Sequence, residues 1–128
     1  MTKNPTSLTT LQISAGVAAL AAVAQALLGF LIALGNFSLL GVHSTMAMIA
    51  LLASVVAAVA SVLWLRSSGN RGLMMHAVGM GVVALVQFGL GEMGGGLATV
   101  HIILGVVFLV GAVGLATLAV RKPGAVTA

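Results

Sequence analysis

Long apolar stretches alternate with short polar breaks along the whole chain. No Asp, Glu, Lys or Arg occurs between Lys3 and Arg66, and two further charge-free stretches cover residues 72–91 and 93–120. The apolar runs are continuous rather than alternating, which is typical of membrane helices and not of barrel strands. A span needs about 20 residues, so the first stretch has room for two helices and a turn. The pattern predicts an all-α integral membrane protein, a four-helix bundle with transmembrane helices at about 11–35, 39–65, 72–91 and 97–120.

The composition supports this fold class and limits the chemistry. Hydrophobic residues make up 61% of the chain and charged residues 5%, whereas soluble domains carry about 25% charged residues. Seventeen glycines suit close helix packing in lipid, where small side chains let backbones approach. The chain has no Cys, which excludes disulfides, zinc thiolate sites and iron–sulfur ligation. We interpret residues 1–128 as a single domain.

The five basic residues lie at the ends of the predicted spans rather than on one face, so they do not indicate nucleic-acid binding. For a four-span chain they all fall on one side of the bilayer, and the positive-inside rule places that side in the cytoplasm. We therefore expect a multi-pass protein of the cell (inner) membrane with both termini cytoplasmic. Cleavage of the first span as a signal peptide is not expected, because its apolar run is too long. The basic residues are Lys3, Arg66, Arg71, Arg121 and Lys122.

The two halves of the chain share an ordered set of polar positions. Each half has a glutamine followed by Leu-Gly near the end of one span, then a short loop, then Val-His near the start of the next span. This pattern predicts two helical hairpins that form a parallel internal repeat. Spans two and four then run in the same direction, with both histidines about 6 Å below the helix starts. The matched residues are Gln25 with Gln87, Gly29 with Gly91, and His43 with His101.

The histidine pair is the main candidate for chemistry. Ionisable residues inside membrane spans are rare and usually functional, and paired imidazoles suit a metal ion or a haem iron. Ala47 and Gly105 lie one turn below His43 and His101, which leaves room for a flat ligand, and Phe108 could pack against its edge. Close helix packing alone explains the small residues equally well, but it does not account for the histidines.

Most of the other polar residues in or near the spans are expected to support the histidine pair or the packing of the helices. Gln25 and Gln87 could support an imidazole or a haem group, although hydrogen bonding between helices is their favoured role. His76 has no counterpart in the first half. It is a third candidate metal ligand with a methionine such as Met80, but we favour an interface or snorkelling role. Glu92, the only acidic residue, is interpreted as a solvated residue at the rim.

The order of these positions resembles a known family. Q-x-x-L-G, a short extracytoplasmic loop and then V-H is similar to the helix-pair unit of the heme A synthase family, in which histidines from two parallel helices of a four-helix bundle hold haem. The resemblance covers residues 25–60 and 87–118 and implies His43 and His101 as axial ligands of a single haem b. The family's catalytic half has a glutamate four residues before a histidine, where this chain has Leu39 and Leu97. The resemblance thus implies a haem-binding bundle more than a synthase.

Three functional hypotheses follow. The leading one is a small b-type cytochrome with no catalytic side chain, which transfers single electrons or handles haem near the extracytoplasmic face. Its partners would be quinol or an extracytoplasmic redox protein, and a homodimer through glycine-rich faces stays open. The second is a copper-binding membrane protein that uses histidine and methionine ligands. The third is a structural or accessory subunit of a membrane complex without a cofactor.

Overall fold

The computed structural model describes residues 6–125, which form four long helices and two short 3₁₀ helices. No strand occurs in this part of the chain. The 3₁₀ helices are Phe37–Leu39 and Gly95–Leu97, and each leads into the following long helix. All four long helices are long and apolar enough to cross a membrane, so the prediction of an all-helical chain with four candidate spans is confirmed. They are α1 (Thr6–Ala33), α2 (Leu40–Ser68), α3 (Arg71–Met93) and α4 (Ala98–Arg121).

The helix ends follow from local sequence. α2 is capped at its C-terminus by Gly69, whose φ of 65° places it in the left-handed region that favours glycine. α3 is capped at its N-terminus by Asn70, whose side chain accepts a hydrogen bond from the Leu73 backbone N–H. α1 begins at Thr6, several residues before the predicted start, because hydropathy marks the apolar part of a helix and not its polar first turns. Lys3, used for the orientation prediction, lies outside the described residues.

The four long helices form a ring. Each packs against the helix before or after it in the chain, and α4 closes the ring by packing against α1. The packed pairs of long helices are α1 with α2, α2 with α3, α3 with α4, and α4 with α1. Short loops reverse the chain between consecutive helices, so neighbours are antiparallel and α2 runs parallel to α4. These two helices therefore lie at opposite corners of the bundle, as do α1 and α3.

The buried core occupies only part of the bundle's length. Its two clusters are built mainly from alanines, with Trp64 in one and Phe108 in the other. Ser54 and Ser61 of α2 are almost completely buried. Within the described chain no residue of 23–49 or 85–107 is buried. We call these two segments together the histidine end of the bundle, because they contain His43 and His101.

The opposite end is held by hydrogen bonds between the α2–α3 connection and the C-terminal segment. The indole Nε1 of Trp64 donates to the Pro123 carbonyl oxygen at 2.6 Å. The Asn70 side-chain Nδ2 donates to the Lys122 carbonyl oxygen at 3.0 Å. These bonds draw together the residues that we call the basic end, which are Arg66, Arg71, Arg121 and Lys122.

Candidate cofactor site at the histidine end

His43 and His101 approach each other across the bundle. Their ring centroids are 6.2 Å apart and the ring planes meet at 70°, an edge-to-face arrangement. Each histidine lies near the start of its helix. Because α2 and α4 run parallel, both histidines are at the same end of the bundle. The structure therefore brings the two predicted ligands together, and their role as ligands stays a prediction.

Each imidazole lies over a glycine of the preceding helix. A Cβ built on Gly29 would be 3.6 Å from Cε1 of His43, and a Cβ on Gly91 would be 3.1 Å from Cε1 of His101. The sequence pattern Leu-Gly, loop, Val-His thus places a ring against a bare backbone in both hairpins. The glycines determine how far each ring can move back toward its neighbouring helix.

A hydrogen bond to the backbone sets the tautomer of His101, that is, which ring nitrogen carries the proton. Its Nδ1 is 3.1 Å from the carbonyl oxygen of Gln87. A carbonyl oxygen only accepts hydrogen bonds, so Nδ1 carries the proton, and in the neutral ring Nε2 keeps its lone pair. Metal-binding histidines commonly donate their second ring N–H in this way, which orients the ring and raises its basicity.

The two glutamines contact the site differently despite their matched positions. The Gln25 side-chain Nε2 donates to the His43 carbonyl oxygen at 2.7 Å, which joins α1 to α2. The Gln87 side chain instead lies against Gly105 of α4, where a Cβ would be 2.9 Å from its Nε2. The favoured interhelical role is therefore what the structure shows for Gln25, whereas Gln87 supports His101 through its backbone.

Three buried polar atoms at the histidine end lack a hydrogen-bond partner within the described protein. They are Oε1 of Gln25, Oε1 of Gln87 and Nδ1 of His43. A buried polar atom without a partner costs roughly 1–3 kcal/mol, so native structures contain few of them. All three atoms lie at the end of the bundle where the apolar core stops.

The small residues predicted to border a flat ligand occupy distinct places. Ala47 is partly exposed, and the space beside Gly105 is occupied by the Gln87 amide. Phe108 lies deeper, packed in the apolar cluster with Ala112, so it forms the floor below the histidine end. The ring of His101 and the amide of Gln87 thus occupy successive levels above this floor.

His76 lies outside this site. Its Nε2 is 2.8 Å from the carbonyl oxygen of Gly111, to which it must donate, and this bond joins α3 to α4. The contact agrees with the favoured interface role. Glu92 is exposed in the last turn of α3. Among residues 6–125 no group of three or more His, Cys, Asp or Glu side chains could hold a metal ion.

Comparison of the chain with models of known protein families, with curated proteins and with solved structures gave no match. The function must therefore be argued from the geometry of the site. Two features of this geometry were not foreseen from the sequence. One is the backbone bond from Gln87 to His101, and the other is the hydrogen bonding of the C-terminal segment by Trp64 and Asn70. The matched glycines were visible in the sequence, but their contacts with the rings were not.

Proposed function

We propose that this chain is a small membrane-embedded b-type haem protein in which His43 and His101 are the axial ligands of one haem. The observation that carries the proposal is the approach of these two imidazoles, at 6.2 Å between ring centroids, from opposite corners of the bundle. The two imidazoles come from parallel helices and meet at one end of the bundle, where they would hold one haem between them.

The protonation of His101 fits a ligand role. With its Nδ1 proton donated to Gln87, the ring presents Nε2 as the free donor. His43 has a buried Nδ1 with no hydrogen-bond partner in the described part of the chain, and its backbone is held by the Gln25 side chain. One imidazole is therefore oriented by its own hydrogen bond, and the other by the helix position that Gln25 stabilises.

The number of protein donors favours a haem over a bare metal ion. Metal ions bound only by protein usually have three or four side-chain ligands, and the described residues offer no such cluster here. A porphyrin supplies four of the iron ligands itself, so two histidines complete the set. The absence of buried residues along 23–49 and 85–107 also leaves this end free of a tightly packed apolar core.

The chemistry would be the transfer of single electrons, which a haem with both axial positions filled supplies when it is bound. The chain's own residues hold and orient: His43 and His101 bind, Gln25 and Gln87 support them, and Phe108 closes the site below. The exposed end gives a redox partner, quinol or an extracytoplasmic protein, short access. No side chain is assigned a catalytic role.

The proposal includes a topology. The basic end faces the cytoplasm by the positive-inside rule, both termini lie there, and the histidine end faces the outer surface of the cell membrane. The two hairpins form a parallel repeat, which the matched contacts of Gly29 with His43 and Gly91 with His101 support. Cysteine accessibility labelling of Ser38→Cys and Ser67→Cys variants in intact cells tests this orientation, with only the first expected to react.

The test of the function is spectroscopic. The chain is purified in detergent after expression with haem supply, and oxidised and reduced visible spectra are recorded. A Soret band with low-spin bis-histidine character is expected, and it should be lost in both His43→Ala and His101→Ala. His76→Ala is the matched control, because it removes a histidine that lies outside the site, and it should keep the full haem content.

Two results would overturn the proposal. One is a bis-histidine spectrum that survives either single substitution at the pair. The other is a colourless protein that retains stoichiometric copper, which would support the copper hypothesis instead. Circular dichroism of each variant must show unchanged helix content, so that loss of haem is not confused with loss of the fold.

A further inference from the structure

A groove on the outside of the bundle runs between α3 and α4. Its volume is about 560 Å³ and its walls are almost entirely apolar. It extends from Val106 and Val107, at the inner limit of the histidine end, to the depth where His76 bonds to Gly111. The groove is open outward along the bundle rather than enclosed. The side chains that matter here are Met75, Gly79, Met80, Val106, Val107 and Val110.

Two arginines stand below this groove on the same helix faces. Arg71 precedes Met75 by one helical turn, and Arg121 follows Val110 by three turns, close to the same angular position at about 100° per residue. Both arginines are exposed. The seam between α3 and α4 therefore combines an apolar groove at mid-depth with two cationic side chains at its foot.

The positive charge at this foot has no acidic side chain to balance it. Glu92 is the only acidic residue of the chain, and it lies at the opposite end of α3. Lys122 follows Arg121 directly, and its carbonyl oxygen accepts a hydrogen bond from Asn70 at the start of α3. This bond keeps the end of α4 beside the beginning of α3, so the cations are brought together by the fold.

We propose that this seam binds an anionic phospholipid. The phosphate would lie against Arg71 and Arg121, and one acyl chain would occupy the groove above them. Arginine suits a phosphate because its planar guanidinium donates several hydrogen bonds. A basic cluster at the cytoplasmic ends of helices is where anionic head groups are attracted. The site is independent of the proposed haem, which lies at the other end of the bundle.

A similar groove of about 530 Å³ lies between α1 and α2 and serves as an internal comparison. It includes Ser14 where the first groove has His76, and Arg66 is the one basic side chain at the foot of its helices among the described residues. Among the described residues, the two grooves thus offer similar apolar volume with different charge. If charge and groove act together, the anionic lipid prefers the seam between α3 and α4.

The experiment measures bound lipid by native mass spectrometry of the whole chain in neutral detergent. Phosphatidylglycerol and phosphatidylcholine with the same acyl chains are added at equal concentration. We expect phosphatidylglycerol to bind preferentially, and the double variant Arg71→Gln/Arg121→Gln to weaken its binding at least about tenfold. Arg66→Gln is the matched control and should bind as the unaltered chain does.

A second pair of variants separates a lipid from a free phosphate. Gly79 lines the groove, and no described atom lies within 4 Å of a Cβ built there. Gly79→Leu therefore places a large side chain in the groove and should weaken phosphatidylglycerol binding. Gly89→Leu places the same side chain on α3 in similarly open space but away from the groove, and should not. Unchanged lipid binding in Gly79→Leu or in the arginine variant, or equal competition by inorganic phosphate, overturns the proposal.

Discussion

The imidazole of His43 meets that of His101 edge to face, with 6.2 Å between ring centroids, although the two side chains come from helices at opposite corners of the bundle. Each ring is presented over a glycine of the helix that precedes it. The pair is therefore set by three things together: the parallel course of α2 and α4, the absence of a side chain at Gly29 and Gly91, and the hydrogen bond from His101 to Gln87.

The glycine under each ring gives a matched prediction. In Gly91→Ala the new Cβ would be 3.1 Å from Cε1 of His101, which forces the ring to shift, whereas in Gly29→Ala the corresponding contact of 3.6 Å is ordinary. Alanine favours the helix by about 0.5–1 kcal/mol in both variants. We expect weaker haem retention in Gly91→Ala only. Haem titration of both proteins checks this, and equal retention would contradict the proposed use of His101.

The packing of α3 against α4 gives a second prediction. A Cβ on Gly111 would overlap the sulfur of Met80, which is the flexible end of that side chain, so Met80 must change rotamer and Gly111→Ala should lower the free energy of unfolding by about 1 kcal/mol. Met80→Ala removes the obstructing side chain but also its packing against the core, so the loss in Gly111→Ala/Met80→Ala should be smaller than the sum of the two single losses. Gly89→Ala is the control, because its Cβ meets nothing within 4 Å. Unfolding in mixed detergent gives the values, and additive losses in the double variant would refute the overlap.

The hydrogen bonds at the basic end predict the protection of the C-terminal segment. Trp64→Phe removes the donor to Pro123, and Asn70→Asp removes the donor to Lys122 but keeps the oxygen that accepts from Leu73. Each change should cost about 1 kcal/mol and speed tryptic cleavage after Arg121. The rate of cleavage is followed by mass spectrometry. Unchanged rates in both variants would show that these bonds do not hold the segment.

The buried serines of α2 predict opposite responses to alanine. The hydroxyl of Ser54 is buried and has no hydrogen-bond partner among residues 6–125, so Ser54→Ala should be neutral or stabilising by up to about 1 kcal/mol. Ser61 donates to the Ala58 carbonyl oxygen at 2.7 Å, so Ser61→Ala should be slightly destabilising. Thermal unfolding of the two variants, measured under the same conditions, tests this prediction. A marked loss of stability in Ser54→Ala would contradict it.

The sequence predicts the fold to within a few residues because charge is so rare in this chain. Each of the three long stretches without basic or acidic residues has room for one or two spans. Helix ends differ from prediction mainly where polar residues such as Thr6 extend α1. The pairing of His43 with His101 follows from the repeated Val-His and the parallel helices. The part they play in binding a cofactor remains a prediction.

Contacts that depend on side-chain placement could not be predicted. Gln25 and Gln87 occupy matched sequence positions, yet one uses its side chain toward His43 and the other its backbone toward His101. Such a choice depends on rotamers and on the space beside Gly105, which is taken by the Gln87 amide. The bond from Trp64 to Pro123 joins distant parts of the chain and has no periodic signal.

Trp64 has one more consequence, which concerns measurement. It is the only tryptophan, and at 1.5 Å per residue it lies about 30 Å along α2 from His43. Indole emission overlaps the absorption of haem, so a haem at the histidine end would quench Trp64 by resonance energy transfer, to a degree set by that distance. The native fluorescence of the chain thus reports the distance between the two ends of the bundle, and it requires no added label.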